Sequence, residues 1–188
     1  QRTIKPILDL LTMGNIAFNW RNSMHYMGID PGKGGGISII DEDGRVKDIF
    51  TMPPTETDMR VMFDGLAHKG YFEDLQNPDL KAAIELVRSR PSQSAQSSFS
   101  FGMVYGWVRI ACAFHLIPFR EPIPGICLKE FGMKKKPNEK QRAWKKRLST
   151  KAKELFPGLE LWERTIGEQL AVSDSLLIAE WLRRKEVG

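Results

Sequence analysis

The chain has 188 residues, of which 41% are hydrophobic, and carries 28 Lys and Arg against 23 Asp and Glu for a net charge of +5. That length supports one core-bearing domain with an appendage, and the basic surplus points to a polyanionic partner. Cys112 and Cys127 lie in apolar surroundings without CxxC spacing, which predicts buried thiols in a reducing compartment rather than a zinc site; no apolar run is long enough to span a membrane.

The first 23 residues stand apart from the pattern that follows. Ile4, Ile7, Leu8 and Leu11 recur at helical spacing, so a short amphipathic helix is expected there. Met24 would serve as an original start, with residues 1–23 a leader or extension and residues 24–188 the domain proper. Tyr26-Met27-Gly28-Ile29-Asp30 then climbs through apolar residues to a single aspartate, Pro31 to Gly35 turn, and Gly36-Ile37-Ser38-Ile39-Ile40 leaves. Two strands joined by a short connection are expected. Asp30 either sits at the tip of a buried strand or caps its own backbone in an Asp-Pro turn.

Asp41-Glu42-Asp43-Gly44 turns into a third strand over 46–52. A helix over 57–68 follows, with Thr55 or Thr57 as its cap. Asn77-Pro78-Asp79 launches Leu80 to Val87, short and mostly apolar as a strand covered on both faces should be. Glu85 interrupts that run. A buried carboxylate neutralises unless it is paired or holds a metal; otherwise Glu85 lies at the strand's exposed end and pairs with Arg88 or Arg90.

A polar loop over 91–98 feeds a helix over 98–114. One of its faces carries Phe101, Val104, Tyr105, Val108 and Cys112, another Phe99, Gly102, Met103, Gly106, Trp107 and Ile110. A helix apolar on nearly all sides needs cover on all sides. A second subunit would give it, with Gly102 and Gly106 allowing close approach; so would a central place in the core. Leu116 to Phe119 reads as a fifth strand. The tract over 134–147 holds six Lys and two Arg against Glu139 alone. Such a run is either a solvated helix face or a phosphate-contacting surface, and one-signed charge interleaved with Trp144 favours the second.

A short helix over 149–156 ends at Pro157-Gly158. The last helix, over 167–185, places Leu170, Ala171, Asp174, Leu177, Ile178 and Trp181 on one stripe. Asp174 therefore stands on a core-facing side, where it serves a metal, or belongs to a frayed first turn, where an acid favours the macrodipole. In a mixed sheet whose first and fourth strands are neighbours, Asp30 and Glu85 are adjacent and the last helix lies over them. Clustered carboxylates repel unless a cation intervenes, and hard oxygen ligands select Mg²⁺ or Mn²⁺. Two such ions about 4 Å apart activate a water and stabilise the leaving oxygen of a phosphodiester.

Met27-Gly28-Ile29-Asp30-Pro31-Gly32-Lys33-Gly34-Gly35, Ala83-Ile84-Glu85, Ser98-Phe99-Ser100-Phe101-Gly102 and Ser173-Asp174-Ser175-Leu176-Leu177-Ile178-Ala179 together resemble the RuvC-like Holliday junction resolvases. The compact bacteriophage branch is the nearest, and Met52-Pro53-Pro54-Thr55-Glu56 and Lys153-Glu154-Leu155-Phe156-Pro157 are similar to it as well. The likeness runs in order over 24–184. It implies an α/β, RNase H-like fold with a five-stranded mixed sheet flanked by helices, and a homodimer meeting through Phe99, Gly102, Met103, Gly106, Trp107 and Ile110. It also implies Mg²⁺-dependent nicking, with Mn²⁺ as a substitute and two ions per site, of opposed strands at a four-way DNA junction. The products would carry 5′-phosphate and 3′-hydroxyl ends.

By the same resemblance Asp30, Glu85 and Asp174 are metal ligands and catalytic residues. The family usually adds a fourth, Asp or His, one helical turn before Asp174. Leu170 and Ala171 stand there instead, and Glu168, the nearest acid, points about 240° around an ideal helix. Either Glu168 reaches in from an unwound turn, or the site is impaired, as an acid-to-alanine change at Ala171 would make it. The loop after the fourth strand implies DNA contacts at Ser92, Gln93, Gln96, Ser97 and Phe99, the last stacking on an unpaired base. Lys33 would meet the scissile phosphate. Apart from the resemblance, the charge run makes Lys134, Lys135, Lys136, Lys140, Arg142, Lys145, Lys146 and Arg147 the expected phosphate contacts to the DNA. The expected partner is branched DNA, not a membrane or a small molecule, and the expected place the cytoplasm, a host cell's if the chain is phage-borne. The rival is a junction-binding protein without cleavage. Actin-like ATPases and sugar kinases have a similar first loop but need two lobes, and Gly32-Lys33-Gly34 lacks the Ser or Thr of a P-loop.

Overall fold

The computed structural model describes residues 23–72, 79–86, 88 and 93–188. The expected helix within the first 22 residues, the Asn77-Pro78 turn, Ser92 and Arg90 lie outside the described residues.

Three strands open the chain, β1 (His25–Asp30), β2 (Gly36–Asp41) and β3 (Val46–Thr51), followed by helix α1 (Glu56–His68). Then come β4 (Leu80–Ile84), α2 (Ala95–Phe114), β5 (Phe119–Arg120), the short α3 (Ile126–Lys129), α4 (Gln141–Leu155), a 3₁₀ turn (Glu160–Glu163) and α5 (Ile166–Val187). The strands form one mixed sheet in the order β3-β2-β1-β4-β5. β1 runs antiparallel to β2 and parallel to β4, so the central strand carries both kinds of ladder, as an RNase H-like sheet requires.

Side chains alternate between the faces of a strand, and here that alternation sorts the core into two layers. Met27 and Ile29 of β1, Ile37 and Ile39 of β2 and Ala82 and Ile84 of β4 pack with Met59, Phe63 and Leu66 of α1 and Val104, Val108 and Cys112 of α2. Tyr26, Ile40 and Ala83 face the other way, into α4 and α5. Continuing the alternation by two residues puts Asp30 and Glu85 on the α5 side. Sequence period thus decides which layer receives the acids.

α5 lies directly on β1. A Cβ at Gly28 would stand 2.1 Å from the Ser175 carbonyl oxygen and 2.2 Å from the Ala179 nitrogen, so only glycine admits the helix this close. Beside that contact the Ser38 and Ser175 hydroxyls, both fully buried, share a 2.7 Å hydrogen bond. The helix begins with a capping box, in which Thr165 and Glu168 satisfy each other's backbone N–H.

Several boundaries differ from the sequence expectation. α4 starts at Gln141 rather than near 149, because Lys, Arg, Gln and Ala are good helix formers and Trp144, Leu148 and Ala152 give it a buried stripe. β4 stops at Ile84, which leaves Glu85 just beyond the ladder. β5 is displaced to Phe119–Arg120 because Leu116 adopts a left-handed φ of 53° at the end of α2. Thr55 is the cap of α1, accepting from the Asp58 N–H. Both cysteines are buried and free, and no helix among the described residues is long and apolar enough to cross a membrane. α2 is covered on one face only: Phe99 and Ile110 are about 70% exposed on the other (69% and 71%).

Candidate active site

Asp30 ends β1 and is buried. The turn beyond it folds back tightly, with the Gly35 N–H donating to the Gly32 carbonyl at 2.8 Å. A Cβ at Gly35 would collide with the Asp30 carbonyl oxygen at 2.0 Å, so the glycines let the loop close over the aspartate. On the neighbouring strand Ile29 pairs with Ile84, and the Glu85 N–H donates to the Ile29 carbonyl at 3.0 Å. The ladder therefore delivers Glu85 next to Asp30. Its carboxylate accepts from the Gly125 N–H at 3.3 Å, where Gly125 takes a left-handed φ of 78° ahead of α3.

Asp174 comes from α5, from the helix face laid on β1. Its Oδ2 accepts from the Lys145 Nζ at 2.5 Å, and the same ammonium donates to Asp30 Oδ2 at 3.2 Å. Lys145 belongs to α4, so one side chain ties the strand tip to both helices. Asp174 Oδ1 is buried and has no hydrogen-bond partner among the described residues. Burial, and then the charges of Asp30 and Asp174, push Glu85 up to about 7. Burial also raises Asp174, against the pull of Lys145. For Lys145 burial works against the charge, but Asp30 and Asp174 outweigh it and hold the ammonium above the usual lysine range.

As placed, no three His, Cys, Asp or Glu side chains among the described residues form a group able to hold a metal ion. The donor set nonetheless suits a hard divalent cation: three carboxylates, no sulfur or imidazole, one buried oxygen without a partner, and a raised Glu85 whose ionisation another positive charge would favour. In the structure the Lys145 ammonium supplies the positive charge between Asp30 and Asp174.

The acids floor a cleft of about 870 Å³ whose walls carry Lys33, Arg88, Lys129, Lys134, Lys135, Gln93 and Gln141. A smaller recess, about 360 Å³, adjoins it between Lys33 and the start of α2, lined by Gln93, Gln96, Ser97, Ser100 and Phe101. Of the expected DNA contacts, Lys33, Gln93, Lys134, Lys135 and Lys145 therefore reach the cleft, the last turned onto the acids, and Gln96 and Ser97 reach the recess. Phe99 stands in the second turn of α2 and is largely exposed.

Other expected positions go elsewhere. Lys136, Lys140, Arg142 and Lys146 are exposed and do not line the cleft. Arg147 turns to Glu139, with contacts of 2.9 and 3.0 Å. Trp144 is a core anchor of α4 and not an exposed stacking platform. Glu168 also needs correction. Its Oε2 accepts from the Thr165 N–H and hydroxyl at 3.1 and 2.7 Å, so it closes the helix cap and does not line the cleft. Arg88, Lys129 and the Gly125 N–H are site groups that sequence reasoning missed. Nothing local marks Lys129 or Gly125, which the packing of α3 on α5 and the Gly125 N–H bond to Glu85 bring round; Arg88 follows Glu85 by three residues.

No family model matches the chain, and no curated protein matches it in sequence. Solved structures do match. Thermus thermophilus RuvC in complex with Holliday junction substrate aligns with a TM-score of 0.55 at 17% identity, covering 88% of this chain and 96% of that one. The chain has a RuvC-like fold. A second Thermus thermophilus RuvC structure aligns with a TM-score of 0.52 at 17% identity, over 87% of this chain and 97% of that one. The RuvC-like frame accounts for the mixed five-stranded sheet with α5 laid across its central strand, and in this chain the end of that strand is where the acids gather.

Proposed function

We propose that the chain is a structure-selective endonuclease that resolves four-way DNA junctions by paired, divalent-metal-dependent nicks, leaving 5′-phosphate and 3′-hydroxyl ends. The observation that carries this reading is the arrival of Asp30, Glu85 and Asp174 from three separate elements on the floor of one cation-rimmed cleft in a RuvC-like fold. Asp30, Glu85 and Asp174 would hold Mg²⁺, or Mn²⁺ in its place, with two ions per site as the working number. When bound, such ions lower the pKa of a coordinated water and neutralise charge on the leaving oxygen. The chain's own residues bind and orient the strand. Lys33, Arg88, Lys129, Lys134 and Lys135 offset phosphate charge along the cleft walls, and Gln93, Gln96 and Ser97 offer neutral donors to the backbone. Phe99, largely exposed on α2, would stack on an unpaired base if the pairing of two copies leaves its ring open.

Nicks on two opposed strands need two such sites. The exposed Phe99, Gly102, Met103 and Ile110 of α2, with the half-buried Gly106 and Trp107 beside them, form the surface through which two copies would pair. Compartment and host follow from that reading: cytoplasmic DNA, in a phage-infected cell if the chain is phage-borne. A junction-binding protein without cleavage is the second reading, favoured by two observations. Ala171 occupies the helix position one turn before Asp174, where an acid could add a fourth oxygen donor, and Lys145 stands on two of the three acids.

A labelled four-way junction with Mg²⁺ or Mn²⁺, run beside linear duplex and a replication fork, tests the proposal. Symmetric ligatable nicks on the junction are expected; binding with no nick in either metal leaves the second reading. Asp30→Asn should abolish nicking while junction affinity stays within about twofold, because a metal ligand contributes little to phosphate contacts at the rim. A wild-type cleavage rate in that variant removes Asp30 from the chemistry.

A further inference from the structure

We propose that the Lys145 ammonium is a built-in counter-ion for the Asp30–Asp174 pair, so that a divalent cation enters this half of the site by exchange with Lys145. The inference rests on the nuclease reading only in requiring that a divalent ion binds here.

The geometry is specific. The ammonium donates to one oxygen of each acid, at 3.2 Å to Asp30 and 2.5 Å to Asp174. Its side chain is 22% exposed, against 10% for Asp30 and 14% for Asp174, so the triplet lies largely out of water, where like charges repel strongly. A dication held by Asp30 and Asp174 would set its two positive charges against the ammonium already lodged between those carboxylates, and the two would repel. Departure of one relieves that repulsion.

The design of α4 determines which part moves. Its backbone is fixed by Trp144, Leu148 and Ala152 in the core, whereas Lys145 hangs from a flexible four-carbon stem. Eviction therefore needs only side-chain rotation into the adjoining cleft. There the released ammonium joins Lys134 and Lys135 on the substrate side. Asp174 Oδ1, buried and without a hydrogen-bond partner among the described residues, is an oxygen that Lys145 leaves unused and that would be open to an entering ion. A lysine placed this way neutralises the acids during folding and gives up its place when the ion arrives.

Two measurements on the full chain test the exchange. The first uses the wild-type protein alone: competitive acetylation of lysines read by mass spectrometry, without and with Mn²⁺. Lys145 should react slowly in the metal-free protein and at least about threefold faster once Mn²⁺ displaces its ammonium from the carboxylates, while exposed Lys146 keeps its rate. The second is Mn²⁺ affinity from the free-ion electron paramagnetic resonance signal, without DNA, for the wild type, Lys145→Met and Lys145→Gln. Removing the competing charge should tighten binding by at least about tenfold, and adding Asp174→Asn to Lys145→Met should cancel the gain. Unchanged acetylation of Lys145 with Mn²⁺, or equal or weaker Mn²⁺ affinity in both variants, overturns the proposal. Junction nicking by the wild type in Mn²⁺ is scored in parallel. Nicking without these changes overturns the exchange alone, the changes without nicking overturn the nuclease reading alone, and the absence of both overturns both.

Discussion

At Glu85 a carboxyl group leaves the end of β4 with the Gly125 N–H as a hydrogen-bond donor and two further acids nearby. Burial and those neighbours raise it from the ordinary 4.5 to about 7. Between these two values the folded chain keeps a proton that the unfolded chain has released, so stability falls as pH rises through the interval, and the loss is complete above about 7. For the metal-free protein the expected loss is up to about 3 kcal/mol. Glu85→Gln should flatten the curve and melt higher than the wild type at pH 8, as thermal denaturation in chelator would report. An unchanged pH profile in that variant would remove Glu85 as its source. The three acids were legible in the sequence because each breaks an apolar run, and an isolated charge in such a run demands an explanation. Lys145 was not legible. It sits among like residues, and nothing distinguishes the one that points inward until the phase of α4 is known. Glu168 misled for the opposite reason: it was judged by its distance from Asp174, while the Thr165 cap that claims it lies on its other side.

Among the elements, the contact of α5 with β1 sets the active-site dimensions. A methyl group at Gly28 would meet helix backbone at 2.1 and 2.2 Å, atoms that cannot rotate away. Gly28→Ala should therefore cost more than about 4 kcal/mol, or prevent folding, as urea denaturation and soluble yield would show. A loss under about 1 kcal/mol would mean the helix can lift from the sheet. The basic tract divides along α4 and the loop before it. Reversing Lys134, Lys135 and Lys146 to Glu should weaken junction binding and flatten its salt dependence, by about 0.9 in log–log slope for each phosphate no longer neutralised. Arg147→Glu should instead lower the melting temperature, since it puts like charge against Glu139. Equal salt slopes for wild type and triple variant would return the tract to ordinary solvated surface. Period-two alternation decides which layer receives the acids, but alternation does not set which strands are neighbours. The start of α4 was not legible, because a run of cations hides the apolar stripe of Trp144, Leu148 and Ala152 that defines the helix.

For the whole molecule, the uncovered flank of α2 is the outstanding feature of the surface. A side chain built at Gly102 or Gly106 meets nothing within 4 Å in the single chain, so a larger residue there leaves the monomer's packing alone and blocks only close approach by another helix. Gly106→Leu should thus give a monomer in sedimentation velocity with an unchanged circular dichroism spectrum, whereas the proposed pairing expects the wild type to sediment as a dimer. A monomeric wild type at all concentrations would assign that flank to another partner.

α4 has one more property that follows from its position. Its outer side holds Arg142 and Lys146 in solvent, its inner side reaches Asp30 and Asp174 through Lys145, and its core stripe rests against α5. The helix is a single rigid rod of four turns, about 22 Å long. Because its core stripe holds α4 in place, the outer cations and the inward Lys145 keep a fixed separation along one rod, and the solvent face and the strand tip share a single rigid support.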